Sequence, residues 1–311
     1  MKTTLECQLG SRTLKLTTGE LAKQASAAVT IQFGETTLFV AVQTGTPRAG
    51  IDFFPMQVDY RERLAAAGKF AGGFLKREGR PTTKEILTCR LTDRPIRPLF
   101  NKGWFNECQV YGLLLSADGE NEPDVMSILG ASAALMVSDI PWAGPLGAVR
   151  VARIDGKFVA NPTNDEMAES DLDLLYVGNE TDVVMYEGSA DQITEADFIE
   201  ALKFGQECCV PQIEAQKELV KMCGKKKRDI SDQLFVVPPA IFKKAEELGG
   251  GDRIVEALLT VAKLEREHKV SAIKDKVAAK LRESLDELES SSEDDPLRKT
   301  LDNGCFSHAW F

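Results

Sequence analysis

The stretch from Gly68 to Phe100, GKFAGGFLKREGRPTTKEILTCRLTDRPIRPLF, gathers the side chains of this chain best suited to an anion. Gly72 and Gly73 allow a backbone to approach a ligand closely, and Lys76, Arg77 and Arg80 place cations near the ring of Phe74. Cations beside an aromatic ring suit a single-stranded nucleic acid, whose phosphates pair with the charge while its bases stack on the ring. A solvated turn with idle charges is the alternative. Arg90, Arg94 and Arg97 follow at spacings that can share a helix face, a stripe able to take phosphate. Pairing with carboxylates such as Asp93 is the expected state of these arginines, because structural ion pairs are common.

The elements that must hold these groups are legible in outline. Short alternating segments from Leu14 lead into Thr36 to Val42, a β-rich run, and the glycine-dense loop comes later. Thr82 with Glu85 makes a capping box for a helix that Pro95 is expected to stop. Asp124 to Ser138, small and apolar on nearly all sides with Pro123 before it, predicts a helix buried against a sheet. Ala148 to Ile154, the turn Asp155-Gly156 and Phe158 to Ala160 predict a hairpin. Leu172 to Val177 and Val183 to Tyr186 read as strands, and Thr194 to Met222 as a long amphipathic helix that Pro211 kinks. Mixed segments in this order give an α+β fold class. Beyond Gly224-Lys225-Lys226-Lys227-Arg228 no strand is evident, and Pro238 to Glu289 is helix-patterned apart from Gly249-Gly250-Gly251. The expected organisation is therefore an α+β core over 1–224, an all-α domain over 225–295, and a tail over 296–311 without usable periodicity.

Composition limits the function. A net charge of −10 over 311 residues argues against a surface that attracts nucleic acid everywhere, so any RNA contact belongs to a local basic patch. No apolar run is long enough to span a bilayer and no secretory signal opens the chain, which predicts a cytoplasmic protein. Seven cysteines without paired spacing read as free thiols. His268 and His308 lie in the helical segment and the tail, and neither is assigned to a metal or to proton transfer.

Four segments carry a resemblance: DFFP with VDYRER between Asp52 and Arg63, the Gly68 to Phe100 stretch, PDVMSILGASAALMVSDIP from Pro123, and GPLGAVRVARIDGKFVANPT from Gly144. In this order they resemble the N-terminal half of the polynucleotide phosphorylases, a first RNase PH-like core followed by a helical domain. The resemblance implies a mixed sheet packed with helices, and a parent enzyme that degrades RNA from its 3′ end with inorganic phosphate. Such an enzyme releases nucleoside diphosphates and runs in reverse as a nucleotidyltransferase. It also implies Mg2+, a trimeric ring as homo-oligomer, RNA-degradation partners, and the basic loop at the mouth of a channel for single-stranded RNA. Leu75 stands where the family commonly has a second Phe.

The family's catalysis belongs to a second core. Its serine-rich phosphate loop corresponds here to Gly119-Glu120-Asn121-Glu122-Pro123-Asp124, where carboxylates repel an anion and proline removes a donor. Asp173 fits one of its two aspartates, while Met167 and Leu175 stand where the other aspartate and a lysine belong. No catalytic and no metal residue is therefore assigned, and this chain is expected to supply RNA binding and ring assembly. Asp165, Glu166, Glu169 and Asp171 are expected to form an exposed acidic hairpin turn. Two rivals stay open: a self-sufficient RNase PH-like exoribonuclease using Asp165, Asp171 and Asp173, and a binding or assembly module without chemistry. The tail Asn303 to Phe311 does not resemble the family's continuation into the second core.

Overall fold

The computed structural model describes residues 2–9, 12–47, 51, 53–72, 77–234 and 239–286. Two compact units emerge, the first comprising Met1–Thr46, Pro55–Asn101 and Asn106–Asp232, the second Pro47–Phe54, Lys102–Phe105 and Gln233–Phe311.

In the first unit, strands β1 (Thr3–Leu9), β2 (Arg12–Thr18), β3 (Ala27–Phe33), β4 (Thr36–Thr44), β5 (Met56–Glu62) and β6 (Cys108–Ser116) form one sheet in the order β1-β2-β3-β4-β6-β5. Only the β5–β6 pair is parallel; its connection contains helix α1 (Thr83–Ile96). Strands β7 (Gly147–Ile154), β8 (Lys157–Ala160), β9 (Leu172–Gly178) and β10 (Val183–Ala190) form a second, antiparallel sheet in the order β10-β9-β7-β8.

Helix α2 (Asp124–Val137) packs against β3, β4 and β7, and every one of its residues except Met136 is buried. Ile31, Leu38, Val40, Ile128 and Leu135 are fully enclosed, and each such side chain is worth about 1.5–3 kcal/mol of burial. Helix α4 (Glu195–Cys223), capped by Thr194, lies on β1, β7 and β9 and continues through Pro211. The hairpin turn Asp155-Gly156 has positive φ at both residues (48° and 74°), the geometry that matches strand twist.

Two local expectations are corrected. Helix α1 runs one residue past Pro95, whose ring is tolerated because the helix is already ending, and passes into a 3-10 turn at Arg97–Leu99. The acidic segment after β8 is a short helix, α3 (Asn164–Ala168), because Thr163 and Glu166 make a reciprocal capping box.

The Lys225 to Arg228 run has a structural use. Lys227 Nζ donates to the carbonyls of Leu135 (2.7 Å), Met136 (3.2 Å) and Ser138 (2.9 Å), where α2 ends and its dipole is negative. Lys225 Nζ donates to Ser26 O at 2.6 Å, and Arg228 Nε to Asp139 at 2.6 Å. The first unit accordingly runs on to Asp232, past the sequence break at Lys225. Burial lowers the Lys227 pKa to about 8, so the ammonium is still mostly charged near neutrality. Lys227→Met should cost about 1–3 kcal/mol by stranding buried carbonyls, read as a lower urea midpoint with unchanged slope.

The second unit holds α5 (Pro239–Gly249), α6 (Gly251–Leu258) and α7 (Lys263–Asp286), with Ala245, Val277 and Leu281 as its small core. No helix among the described residues is long and apolar enough to cross a membrane.

Candidate nucleic-acid interface

The glycine-rich loop leaves the first unit through a built neck. A 3-10 turn, Leu64–Ala67, is ended by Gly68 in the left-handed region (φ 66°). Lys69 N–H then donates back to Leu64 O at 3.0 Å. From the far limb, Glu78 accepts Leu64 N–H at 2.8 Å and the Arg63 guanidinium at 2.5 Å. Arg63 is the main cause, with the Leu64 amide second, that holds the Glu78 carboxyl below its usual range. Both limbs of the loop are thus tied to the one residue Leu64.

Of the predicted binding residues, Gly72, Arg77 and Arg80 are exposed on these limbs, while Gly73, Phe74 and Lys76 lie outside the described residues. Arg77 and Arg80 have no hydrogen-bond or ion-pair partner among the described residues, in contrast to Arg63 beside them. Phe70, on the near limb, is 90% exposed. Sequence reasoning passed over it, although Lys69-Phe70 shows the same cation-beside-aromatic pattern that singled out Phe74.

The three helical arginines do not form one stripe. Arg97 grips Asp93 through Nε (2.9 Å) and Nη2 (2.5 Å) and also donates to Met56 O. Arg94 meets Glu187 at 2.9 Å across two exposed side chains, a contact of little energetic weight. Arg90 is exposed and has no partner among the described residues.

The loop at Gly119 to Asp124 is closed to an outside anion by the chain's own carboxylates. Asp118 accepts the backbone N–H of Glu120 and Asn121 (both 2.9 Å), of Glu35 (3.2 Å) and of Thr36 (3.1 Å), and the Asn121 side chain at 2.7 Å. Burial alone would raise its pKa, but the donors on Asn121, Glu120 and Thr36 carry it well below the carboxylate range. Glu122 is taken by Lys84 at 2.8 Å.

Asp173 is also engaged. Arg150 reaches Asp124 at 2.7 Å and Asp173 at 3.5 Å, and Arg153 reaches Asp197 at 3.0 Å and Asp171 at 3.8 Å. Asp165 and Glu169 are exposed at the two ends of α3, and Glu166 is spent on its cap. Among the described residues no three His, Cys, Asp or Glu side chains come together as a metal site. With Arg150 beside it, Asp173 does not offer the several free oxygen donors that a magnesium ion needs.

Comparison with known proteins adds to this geometry. Residues 10–141 match the model of domain 1 of the 3′ exoribonuclease family, and residues 144–208 match domain 2 of the same family. The polyribonucleotide nucleotidyltransferase of Akkermansia muciniphila is 50% identical over 280 residues, which is 90% of this chain and 39% of that protein. Those of Opitutus terrae (52% over 275 residues; 88% and 37%) and Methylacidiphilum infernorum (48% over 298 residues; 94% and 42%) are similarly related. The chain spans about two fifths of the length of these curated relatives. Rice (Oryza sativa) Rrp46 superposes with a TM-score of 0.55 over 68% of this chain and 96% of its own, at 14% identity, a likeness of fold alone.

Proposed function

Since the chain belongs to the 3′ exoribonuclease family, we propose that it serves as the RNA-guiding, ring-forming part of a phosphate-dependent 3′-to-5′ exoribonuclease of the polyribonucleotide nucleotidyltransferase kind. The observation that carries this reading is the loop neck, which holds Arg77 and Arg80 exposed and without an ion-pair partner among the described residues, on a chain of net charge −10. Such a local patch attracts a polyphosphate strand while the remaining surface repels it, and so favours entry at one place.

The strand bound is single-stranded RNA, met in the cytoplasm, with Gly72, Gly73, Phe74, Lys76, Arg77 and Arg80 as the contact set. Attack by inorganic phosphate requires free backbone donors and a divalent ion, and the groups that would correspond here are occupied by Asp118 and by Arg150. Chemistry with Mg2+ and phosphate is therefore assigned to the length of the relatives that this chain does not span. The rival in which Asp165, Asp171 and Asp173 form an active site is less favoured, because Asp171 and Asp173 each face an arginine.

Fluorescence anisotropy with a labelled oligoadenylate tests the reading. Binding should weaken with salt, and Arg77→Ala with Arg80→Ala should reduce the log–log salt slope by about 1.4, two contacts' worth for a single strand. Incubation of the purified chain with RNA and phosphate should release no nucleoside diphosphate. A salt slope unchanged in the double variant, or phosphorolysis by the chain alone, would refute the assignment.

A further inference from the structure

We infer that Phe70 is a base-stacking platform that works with Arg77 across the loop neck, an inference that rests on the RNA-binding reading of the same loop. Among the described residues Phe70 is the most exposed aromatic side chain, at 90% against 59% for Phe53 and 52% for Phe242 and Tyr186. The backbone on either limb is held at one residue. Lys69, its neighbour, donates to Leu64 O, and Glu78, the neighbour of Arg77, accepts Leu64 N–H. The two hydrogen bonds on one residue bring the Phe70 limb and the Arg77 limb to a common point and leave ring and guanidinium both turned to solvent.

A nucleotide offers a flat base and an anionic phosphate joined by a sugar, and the neck offers a flat ring and a cation joined by Leu64. Stacking tolerates any base, because every base has a π-face, so the site selects for an unpaired strand and not for a sequence. Arg80, exposed two residues beyond Glu78, is placed to take the adjoining phosphate. Lys69, also exposed on the near limb, adds to the same cationic field. The pairing of Arg63 with Glu78 adds to the Leu64 contacts and removes Arg63 from the set of cations free for the strand.

The test uses the full chain, a labelled oligoadenylate, and an oligomer of the same length whose bases are removed. Phe70→Ala should weaken oligoadenylate binding by about 5- to 150-fold, the range for losing one stacked base, with the salt slope unchanged. Phe70→Tyr should retain binding, and Phe70→Leu, which keeps apolar area without a π-face, should not. The abasic oligomer should bind wild type and Phe70→Ala alike. If oligoadenylate binds wild type and Phe70→Ala equally, the platform is refuted and the RNA-guiding function stands. If Phe70→Ala instead changes only the oligomeric state seen by light scattering, the ring is a protein contact and the inference fails. If wild type binds no oligomer, the functional reading itself fails and takes the platform with it.

Discussion

Replacing Arg150 with methionine should lower stability by about 3–5 kcal/mol, because it leaves Asp124 as an uncompensated charge at the start of a buried helix. Asp124 is almost wholly enclosed, and burial raises its pKa above the ordinary carboxylate range against the pull of Arg150, the chief opposing influence. The sign of the pH dependence follows. A carboxyl whose folded pKa is raised favours the fold most when protonated, and loses that contribution as pH rises from the unfolded to the folded pKa. Removing Arg150 raises the folded pKa further and widens the window in which stability falls. Urea midpoints of wild type and Arg150→Met should therefore converge as the solution is acidified and diverge toward neutrality. Asp124→Asn in the Arg150→Met background should recover a large part of the loss at neutral pH. A gap between the two proteins that does not change with pH would show that Arg150 contributes packing and not charge compensation.

The second large effect is expected at Gly147, the first residue of β7, where α4 crosses the strand without room for a side chain. A Cβ there would lie 2.5 Å from Cys209 Cβ, 2.8 Å from its Cα and 2.9 Å from its carbonyl oxygen. Two of these three atoms are backbone, so the helix itself has to retreat. Around this contact a buried amide network supplements the pairing of Gly147 and Ala148 with β9. Gln212 accepts Ala148 N–H at 3.0 Å, Gln216 donates to Leu146 O at 2.8 Å, and Ser132 donates to Gln216 at 2.6 Å while accepting Leu146 N–H at 2.9 Å. Both glutamines are fully enclosed, so a retreat of α4 strands them without water to replace what they lose. Gly147→Ala should thus cost about 3–5 kcal/mol, combining overpacking with broken buried hydrogen bonds. Thermal or urea unfolding measures it, with Gly79→Ala, where a Cβ meets nothing within 4 Å, as the neutral control. A loss below about 1 kcal/mol at Gly147 would mean that α4 shifts freely over β7.

What could be read from the chain was what local chemistry fixes. Thr82 with Glu85 and Asp155-Gly156 each set a cap or turn through residues a few positions apart, and both stand where the pattern placed them, while Thr194, expected inside its helix, caps it instead. The α+β architecture followed from the same signals. Strand β1 was passed over, because its half-exposed alternation only acquires meaning once β2 pairs with it and α4 covers one face. Asp124 read as part of a repellent acidic loop, whereas its partner Arg150 lies 26 positions away. The same limit applies to Lys227, whose acceptors lie about 90 positions earlier in the chain. Around the candidate interface, residue types announced the cations, but only the Arg63–Glu78 clasp shows which of them are committed and which are free.

The Asp118 carboxylate, held by the amides of Glu120 and Asn121 only two and three residues along the chain, competes for those donors as a tethered group. Its effective concentration is set by that short connection and not by the solution, and for well-oriented neighbours such values exceed any attainable solute concentration by orders of magnitude. An anion arriving from solution would have to displace this tethered carboxylate to reach the same two amides.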